Sequence, residues 1–258
     1  EALHRMVLAG LLARGHILLE GLPGLGKTAL LDELQRRIVL RAPHVPVFAG
    51  RCYERELVPF KALDEVIDNL THQLDALPSE VVRAILPKDV RILAQAFPVF
   101  HNVVASIAES EAGDTLDTVF IADPQQQRAA LFSCLRALFT NLARYRPLVV
   151  VIHDLQWADR DSVALIAELT RPPEAPPMML LATLRPVEHG NALSYQAVAR
   201  YLACERRQLV IEPLSVSSAR ELAHALLEGT SVSGGEVATL AQAVAEESLG
   251  LPYFVELL

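Results

Sequence analysis

Short apolar runs alternate along this chain with longer segments in which apolar residues recur every three or four positions. Five runs have the length of β-strands, at 16–20, 45–49, 148–152, 178–184 and 208–211. The segments between them carry the apolar stripe of amphipathic helices. Strands that alternate with helices are typical of a parallel sheet covered by helices on both faces. The pattern therefore predicts an α/β protein built in three layers.

The pattern changes after Pro213, where helical segments follow one another without an apolar run between them. Ser218 and Glu221 have the spacing of a capping box, which predicts that a helix starts there. A second amphipathic helix is predicted over 236–249, and Pro252 is placed to open a third, because proline is favoured at the first helical position. We therefore predict a small all-helical lid subdomain at this end of the chain.

Residues 1–212 are predicted to form the sheet-based core, and 213–258 the lid subdomain, which we interpret as truncated. Within the core, about 78–122 holds short apolar helical fragments and then a polar stretch, and we interpret this region as a helical insertion with a mobile loop. Asp123 and Pro124 then predict the start of a long helix, because a capping residue is followed by proline.

Composition narrows the classes of protein that the pattern allows. The chain of 258 residues carries 31 acidic and 23 basic side chains, a net charge of −8, which disfavours direct binding to nucleic acid or to an anionic membrane. No apolar run approaches the roughly 18 residues of a membrane span. The three cysteines are isolated, which disfavours a zinc site or a disulfide framework. No signal peptide is visible, and we expect a cytoplasmic protein. Because the chain opens on Glu1 and stops abruptly at Leu258, we interpret it as an excised piece of a longer one.

The first predicted strand runs into an octet that fits the phosphate-loop pattern GxxxxGK[ST] at every position. Glycines allow backbone angles that turn N–H groups inward on a phosphate, and the helix that follows adds its positive dipole end. The lysine can reach the β- and γ-phosphates, and the hydroxyl of Thr28 can bind Mg²⁺. The octet therefore predicts that ATP or ADP binds with Mg²⁺ at Gly21, Leu22, Pro23, Gly24, Leu25, Gly26, Lys27 and Thr28.

The buried run at 148–152 ends in His153 and Asp154, which gives it the shape of a Walker B strand. Two acids normally end such a strand, the first binding Mg²⁺ and the second polarising the attacking water. His153 occupies the first position, and imidazole is a poor ligand for a hard ion such as Mg²⁺. Three interpretations follow: Asp154 is the base of a slow ATPase, the site binds nucleotide with scarcely any turnover, or Asp154 merely caps a turn. We favour weakened hydrolysis.

Together these motifs resemble the STAND class of signal-transduction P-loop ATPases. The chain is most similar to the origin-recognition-like AAA ATPase module of bacterial multidomain serine/threonine kinases, adenylate cyclases and LuxR-type regulators. The resemblance covers nearly the whole chain, and the order of its motifs carries it. Besides the octet, the similar segments are GRCYERE at 50–56, IHDLQWAD at 152–159, LLATLR at 180–185 and GLPYFVEL at 250–257.

The resemblance implies roles for single residues and for partners. Thr183 and Arg185 would lie at the end of a core strand, with Arg185 near the γ-phosphate, and Pro252 would lie near the adenine. Glu54 would be a polar contact near the nucleotide, and Trp157 would pack rather than react. The family implies covalently linked kinase, cyclase or DNA-binding domains, and nucleotide-dependent self-association.

The chain departs from this family at His153, where Asp is usual, and it lacks both the usual Gly-Arg-Glu segment before the first strand and the winged-helix domain after the lid. The function that we favour is an ATP-binding, weakly hydrolysing switch module of a larger regulatory protein. A non-hydrolysing nucleotide-binding interaction module is the alternative. A MoxR-like AAA chaperone ATPase is a second alternative, because 16–28 also resembles that group.

Overall fold

The computed structural model describes residues 15–54, 59–108, 123–186, 193–228 and 234–258. Within them, five parallel strands form one sheet in the order β2-β3-β4-β1-β5. The predicted parallel α/β architecture is therefore confirmed. The strands are β1 (His16–Glu20), β2 (Val47–Arg51), β3 (Leu148–His153), β4 (Met178–Leu184) and β5 (Arg206–Val210).

Helices cover both faces of this sheet and continue after its last strand. They are α1 (Lys27–Arg41), α2 (Lys61–Asp75), α3 (Ser79–Ile85), α4 (Val90–Ala96), α5 (Phe100–Ala108), α6 (Pro124–Tyr145), α7 (Arg160–Leu169), α8 (Tyr195–Tyr201), α9 (Val216–Leu227), α10 (Gly234–Glu247) and α11 (Pro252–Leu257). A short 3₁₀ turn, Leu155–Trp157, follows β3. No helix among the described residues is long and apolar enough to cross a membrane.

The alternation of side chains along each strand divides the core into two layers. Val149 and Val151 of β3 face α1, where they pack with Leu31 and Leu34. Val150 and Ile152 point to the other face, which is covered by the helices of the large cluster, α2 to α7. β3 and β4 are buried along their whole length, as expected for central strands of a parallel sheet.

Several local predictions differ from the structure. The second strand is Val47–Arg51 and the last is Arg206–Val210, each displaced by two residues from the predicted start. α8 was not predicted. The capping box at Ser218 is wrong, because Ser215 is the N-cap of α9 and its hydroxyl accepts a hydrogen bond from the Ser218 N–H at 3.2 Å.

The predicted insertion is helical in its described part, where α3, α4 and α5 follow one another, and residues 109–122, including the predicted loop, lie outside the described residues. The helix start at Asp123 is confirmed. The Asp123 carboxylate accepts a hydrogen bond from the Gln125 N–H at 3.1 Å, and Pro124 occupies the first turn. This helix start could be predicted from the sequence because capping depends on residues that are close neighbours in the chain.

The three helices after β5 bury a core of small side chains. α9 packs against α10 and α11, and their buried residues are Ala219, Ala223, Ala241, Ala245 and Val255. Alanines bury little apolar area each, so this cluster contributes less to stability than the leucine-rich layers of the sheet. The division into a core of 1–212 and a lid of 213–258 stays a prediction.

His16 is a buried histidine that stabilises the start of the sheet. It is 3% exposed, and its Nδ1 accepts a hydrogen bond from the Leu180 N–H of β4 at 3.1 Å. Burial lowers the pKa of His16 from 6.5 to about 4. The folded protein therefore holds this imidazole neutral over a range in which the unfolded chain protonates it.

We expect His16 to make the protein acid-sensitive between pH 6.5 and about pH 4. The unfolded state binds the extra proton in this window, so the free energy of unfolding falls as pH falls, by up to about 3 kcal/mol. His16→Asn keeps an acceptor for Leu180 but does not titrate. Urea unfolding at several pH values should show a smaller acid loss in this variant than in the parent. His101→Asn, at an exposed position, should keep the loss of the parent; identical pH curves for all three proteins would contradict the prediction.

Candidate nucleotide-binding site

The strand order places the predicted motifs side by side at one edge of the sheet. β1 precedes the octet, β3 ends in His153, and β4 ends one residue before Arg185. β4 lies between β3 and β1, and all three run in the same direction. The carboxyl ends of these strands therefore form one crevice, the position at which open α/β sheets bind ligands.

The phosphate loop joins β1 to α1 through two glycines in the left-handed region. Gly24 has φ 81° and Gly26 φ 74°, conformations that a residue with a Cβ adopts only under strain. Gly26 is the N-cap of α1, and no side chain caps the helix. The first N–H groups of a helix have no partner within it. The loop therefore presents main-chain donors and the positive end of α1 to an anion.

Lys27 folds back on this loop. Its side chain is buried, and its Nζ donates hydrogen bonds to the carbonyl oxygens of Gly21 at 2.5 Å and Leu22 at 2.7 Å. Burial lowers the pKa of Lys27, the charge of Arg185 lowers it further, and Asp154 raises it. The ammonium thus lies among the charged groups of the neighbouring strand ends, where a further anion would stabilise its charged form.

Asp154 leaves the strand in a left-handed turn and lies within a polar network. Its φ is 56°, and its main-chain N–H donates to the buried Thr183 hydroxyl at 2.9 Å. Arg185 Nε donates to Asp154 Oδ1 at 3.1 Å. Asp154 begins the 3₁₀ turn, but its side chain makes no capping hydrogen bond there. The interpretation that this carboxylate merely caps a turn is therefore wrong.

Gln156 completes the network, and sequence reasoning missed it. Its side chain is 1% exposed; Nε2 donates to Asp154 Oδ1 at 3.1 Å, and Oε1 accepts from the Arg185 N–H at 3.1 Å. One amide thus links the ends of β3 and β4. A polar residue two positions after the strand-end acid was visible in the sequence, but the amide of a buried glutamine needs partners that only the neighbouring strand supplies.

His153 lies at the end of β3 with one ring nitrogen unpartnered. The residue is 6% exposed; Nε2 is 3.7 Å from Asp32 Oδ1, and Nδ1 is buried without a hydrogen-bond partner. Burial lowers the pKa of His153; Asp32 raises it, Arg51 lowers it, and Asp154 and Glu65 raise it. Because burial is the largest of these effects, the neutral imidazole is the favoured form at neutral pH.

The start of α11 contacts the phosphate loop directly. The Tyr253 N–H donates to the Gly24 carbonyl at 3.1 Å. Pro252, half-buried in the first turn of α11, precedes it. Gly250, with φ 74°, accepts a hydrogen bond from the Leu214 N–H at 2.7 Å, and a Cβ on Gly250 would lie 2.2 Å from the Leu214 carbonyl oxygen. Main-chain hydrogen bonds therefore join the helices after β5 to the loop that would bind phosphate.

The remaining predicted residues lie at the edge of this crevice or outside it. Thr28 is half-buried in the first turn of α1. Glu54 is exposed beyond β2. Trp157 packs against the large hydrophobic cluster, in agreement with the structural role that the resemblance implied.

Comparison with known proteins assigns the chain to a family. Residues 1–181 match the model of the AAA ATPase domain. This chain therefore belongs to the AAA ATPase domain family, a class of nucleotide-binding P-loop ATPases. No protein of curated function matches its sequence.

Solved structures of low sequence identity share the fold. The chain is similar to the Aeropyrum pernix ORC1 protein, solved in complex with DNA, with 18% identity and a TM-score of 0.51 over 99% of this chain and 56% of that one. It is similar to the ORC2 protein of the same organism, solved as ADPNP–ADP complexes, with 14% identity and a TM-score of 0.53 over 98% of this chain and 58% of that one.

A STAND protein with a tetratricopeptide repeat sensor from Pyrococcus horikoshii matches with 13% identity and a TM-score of 0.48, over 95% of this chain and 27% of that one. A TM-score below 0.5 is too low to support an inference about this chain. The chain spans little more than half of the two ORC chains and about a quarter of the STAND chain. The likeness to the two ORC proteins shows the fold alone.

The residues present fit a nucleotide better than they fit Mg²⁺. An uncapped helix start, two left-handed glycines and a buried ammonium suit an anionic phosphate chain. For a hard cation the crevice offers the Thr28 hydroxyl, whereas the strand-end position carries the imidazole of His153, a poor magnesium ligand. The donor set therefore agrees with the predicted nucleotide, whereas Mg²⁺ stays a prediction in which Thr28, phosphate oxygens and water would be its ligands.

We expect Thr183→Val to destabilise the strand-end network. Valine keeps the shape of the side chain but leaves the Asp154 N–H without its acceptor, which should lower the free energy of unfolding by about 1–2 kcal/mol. Thr183→Ser keeps a hydroxyl and is the matched control. Urea unfolding measures the difference, and a valine variant as stable as the parent would contradict the role of this hydrogen bond; the serine variant shows how much the buried methyl group alone contributes.

Proposed function

We propose that this chain is a nucleotide-operated switch module, in which ATP or ADP binds the phosphate loop and controls how the helices of 213–258 associate with a core of 1–212. The observation that carries the proposal is the hydrogen bond from the Tyr253 N–H to Gly24. The loop that binds phosphate is the same loop that holds α11. A ligand with different affinity for the closed and open arrangements must shift their populations.

Each residue of the crevice has a place in this proposal. Main-chain N–H groups of Gly24 and Gly26, with the start of α1, would bind phosphate oxygens. Lys27 would supply the balancing charge, and Arg185 would approach the γ-phosphate from the end of β4. Pro252, next to the residue that contacts Gly24, would lie on the side of the adenine. When bound with nucleotide, a divalent ion supplies charge neutralisation, and Thr28 would be one of its ligands.

Hydrolysis by this site is proposed to be weak. Asp154 would take a proton from water, and its Oδ1 accepts hydrogen bonds from Arg185 and Gln156. Rearranging the hydrogen bonds that Arg185 and Gln156 donate to Asp154 would add to the activation free energy of hydrolysis. His153 occupies the position at which an acid usually binds Mg²⁺ and so assists hydrolysis. The alternative, a non-hydrolysing interaction module, is favoured by the same two observations and differs only in the rate of turnover.

The setting that we propose is a bacterial regulatory protein, in which kinase, cyclase or DNA-binding domains are attached to this module. The motif order at 50–56, 152–159, 180–185 and 250–257 supports that setting. The chain's own net charge of −8 argues against direct nucleic-acid binding by this module. The cytoplasm is the location that belongs to this proposal, and Cys134 and Cys204 are free thiols, as a reducing compartment would leave them. Nucleotide-dependent self-association belongs to the same proposal.

We expect Lys27→Ala to abolish nucleotide binding and the response of the lid helices together. Calorimetry should show ATP binding to the parent and none to the variant. Hydrogen exchange should show slower exchange at Tyr253 when ATP is added to the parent, because the closed arrangement holds its N–H against Gly24. In the variant ATP should leave this exchange unchanged.

The matched control is Lys88→Ala, at an exposed lysine between α3 and α4, which should behave as the parent. Undiminished ATP affinity in folded Lys27→Ala would overturn the assignment of the phosphate loop. ATP binding without any change of exchange in residues 213–258 would instead overturn the switch and leave the binding site intact.

We expect His153→Asp to raise magnesium-dependent ATP turnover by about tenfold or more, because it places an oxygen ligand where the imidazole stands. Steady-state phosphate release from ATP measures the effect. Measurable phosphate release by the parent supports the weak ATPase and its absence supports the non-hydrolysing module, whereas a folded variant that binds ATP and turns over no faster than the parent would contradict the assignment of the His153 position. His101→Asp, on the surface of α5, controls for the added charge.

A further inference from the structure

We propose that Gln156 is a positioning residue of the nucleotide site: its buried amide allows Arg185 to exchange the carboxylate of Asp154 for the terminal phosphate of ATP. The exchange would give the site a means of distinguishing a nucleoside triphosphate from a diphosphate. The inference rests on the proposed function and deepens it, because it names the residues on which the third phosphate of the nucleotide would act.

Gln156 lies in the 3₁₀ turn after β3, and both ends of its amide are bound. The side chain is 1% exposed; Nε2 donates to Asp154 Oδ1 at 3.1 Å, and Oε1 accepts from the Arg185 main-chain N–H at 3.1 Å. A carboxylate only accepts and an N–H only donates, so the reversed amide would lose both hydrogen bonds. The Gln156 carbonyl also accepts from the Leu193 N–H at 2.7 Å, which holds the turn itself in place.

One oxygen of Asp154 is shared between the amide and the guanidinium. Oδ1 accepts a hydrogen bond from Gln156 Nε2 and another from Arg185 Nε, each at 3.1 Å. The Asp154 side chain is 16% exposed, so an oxygen that lost both donors would be only partly rehydrated. If Arg185 leaves, the hydrogen bond from Gln156 remains. The amide therefore lowers the free-energy cost of releasing the guanidinium.

Arg185 combines a fixed main chain with a partly exposed side chain. Its N–H is bound by the Gln156 amide, and β4, which precedes it, is buried along its whole length. The side chain is 40% exposed, and among the described residues the guanidinium has one hydrogen-bond partner, Asp154. The guanidinium can therefore leave Asp154 by side-chain rotation alone, while the end of β4 stays in place.

The charges of Asp154 and Arg185 act on the phosphate loop. Burial lowers the pKa of Lys27 most, Arg185 lowers it further, and Asp154 raises it, so both charged groups lie within electrostatic range of this loop residue. A terminal phosphate offers several charged oxygens to the planar fork of an arginine. A triphosphate would therefore compete with Asp154 for Arg185, whereas a diphosphate, which is one phosphate shorter, would leave the pair intact.

The test compares the affinities of the full chain for ADP and for ADPNP, a non-hydrolysable analogue of ATP, by calorimetry with Mg²⁺ present. The ratio of the two affinities is the readout, because a general loss of structure lowers both. Gln156→Met keeps the length of the side chain and removes the amide. We expect it to lower the preference for ADPNP over ADP by about fivefold, the value of one hydrogen bond. Gln126→Met, exposed in the first turn of α6, should keep the ratio of the parent.

Further variants test whether the amide acts through Arg185. Arg185→Gln should lower the same ratio by about tenfold or more, because it removes the guanidinium. Adding Gln156→Met to Arg185→Gln should change the ratio no further, as expected for two residues that act through one contact. Asp154→Asn should raise the ratio, because a neutral amide holds the guanidinium less strongly than a carboxylate does. Thermal unfolding confirms that each variant is folded.

The outcomes distinguish this inference from the function beneath it. A folded Gln156→Met with the ratio of the parent, or an effect that adds to that of Arg185→Gln, would overturn the role of Gln156 and leave the nucleotide site standing. If Gln156→Met does not fold, Asp154→Asn decides, and a ratio that stays unchanged or falls would overturn the exchange that Gln156 is proposed to ease. Absence of binding of both ADP and ADPNP by the parent would overturn the proposed function, and this inference with it.

Discussion

The uncapped amino end of α1 is the constraint on which the site depends. A helix start normally satisfies its free N–H groups with a side chain, and here Gly26 occupies the cap position without one. The donors must bind something else. Lys27 adds a buried positive charge next to them and now donates to loop carbonyls. An anion would satisfy both, and the family to which residues 1–181 belong is one of nucleotide-binding ATPases.

The other features of the crevice are arranged around this unsatisfied helix end. Thr183 holds the main chain of Asp154 in its left-handed turn, and Gln156 ties that turn to Arg185. The helices after β5 contact the same loop through the Tyr253 N–H. Both groups of contacts are hydrogen bonds between separate elements, and neither belongs to the hydrophobic layers of the sheet.

His153 shows how one residue alters the chemistry that a fold allows. β3 is a buried central strand, paired in parallel with β2 on one side and with β4 on the other. The imidazole leaves a nitrogen lone pair buried without a partner, and buried polar atoms without partners are uncommon enough to call for an explanation. At a strand end that usually carries an acid, this imidazole leaves the position without a carboxylate ligand for Mg²⁺.

Features that depend on near neighbours in the chain could be predicted from the sequence. Apolar runs identified the strands, and the octet at Gly21–Thr28 identified the phosphate loop, because a glycine-rich turn after a strand and before a helix sets its own geometry. Asp123 and Pro124 predicted the start of α6, because capping also depends on adjacent residues. The short helix α8 has too few turns for its apolar residues to show a helical period. Ser215 rather than Ser218 caps α9, because capping preference alone does not distinguish between neighbouring serines.

Contacts between distant parts of the chain were decided only by the tertiary structure. The sequence contains Lys27, Asp154 and Arg185 but does not state the strand order, and it is the position of β4 between β3 and β1 that brings them together. Gln156 became part of the site only when its amide met the main chain after β4. The hydrogen bond from Tyr253 to Gly24 joins two main-chain groups, so no pattern of side chains in the sequence could predict it. Local patterns encode the elements, whereas the packing of the whole chain determines which of their ends meet.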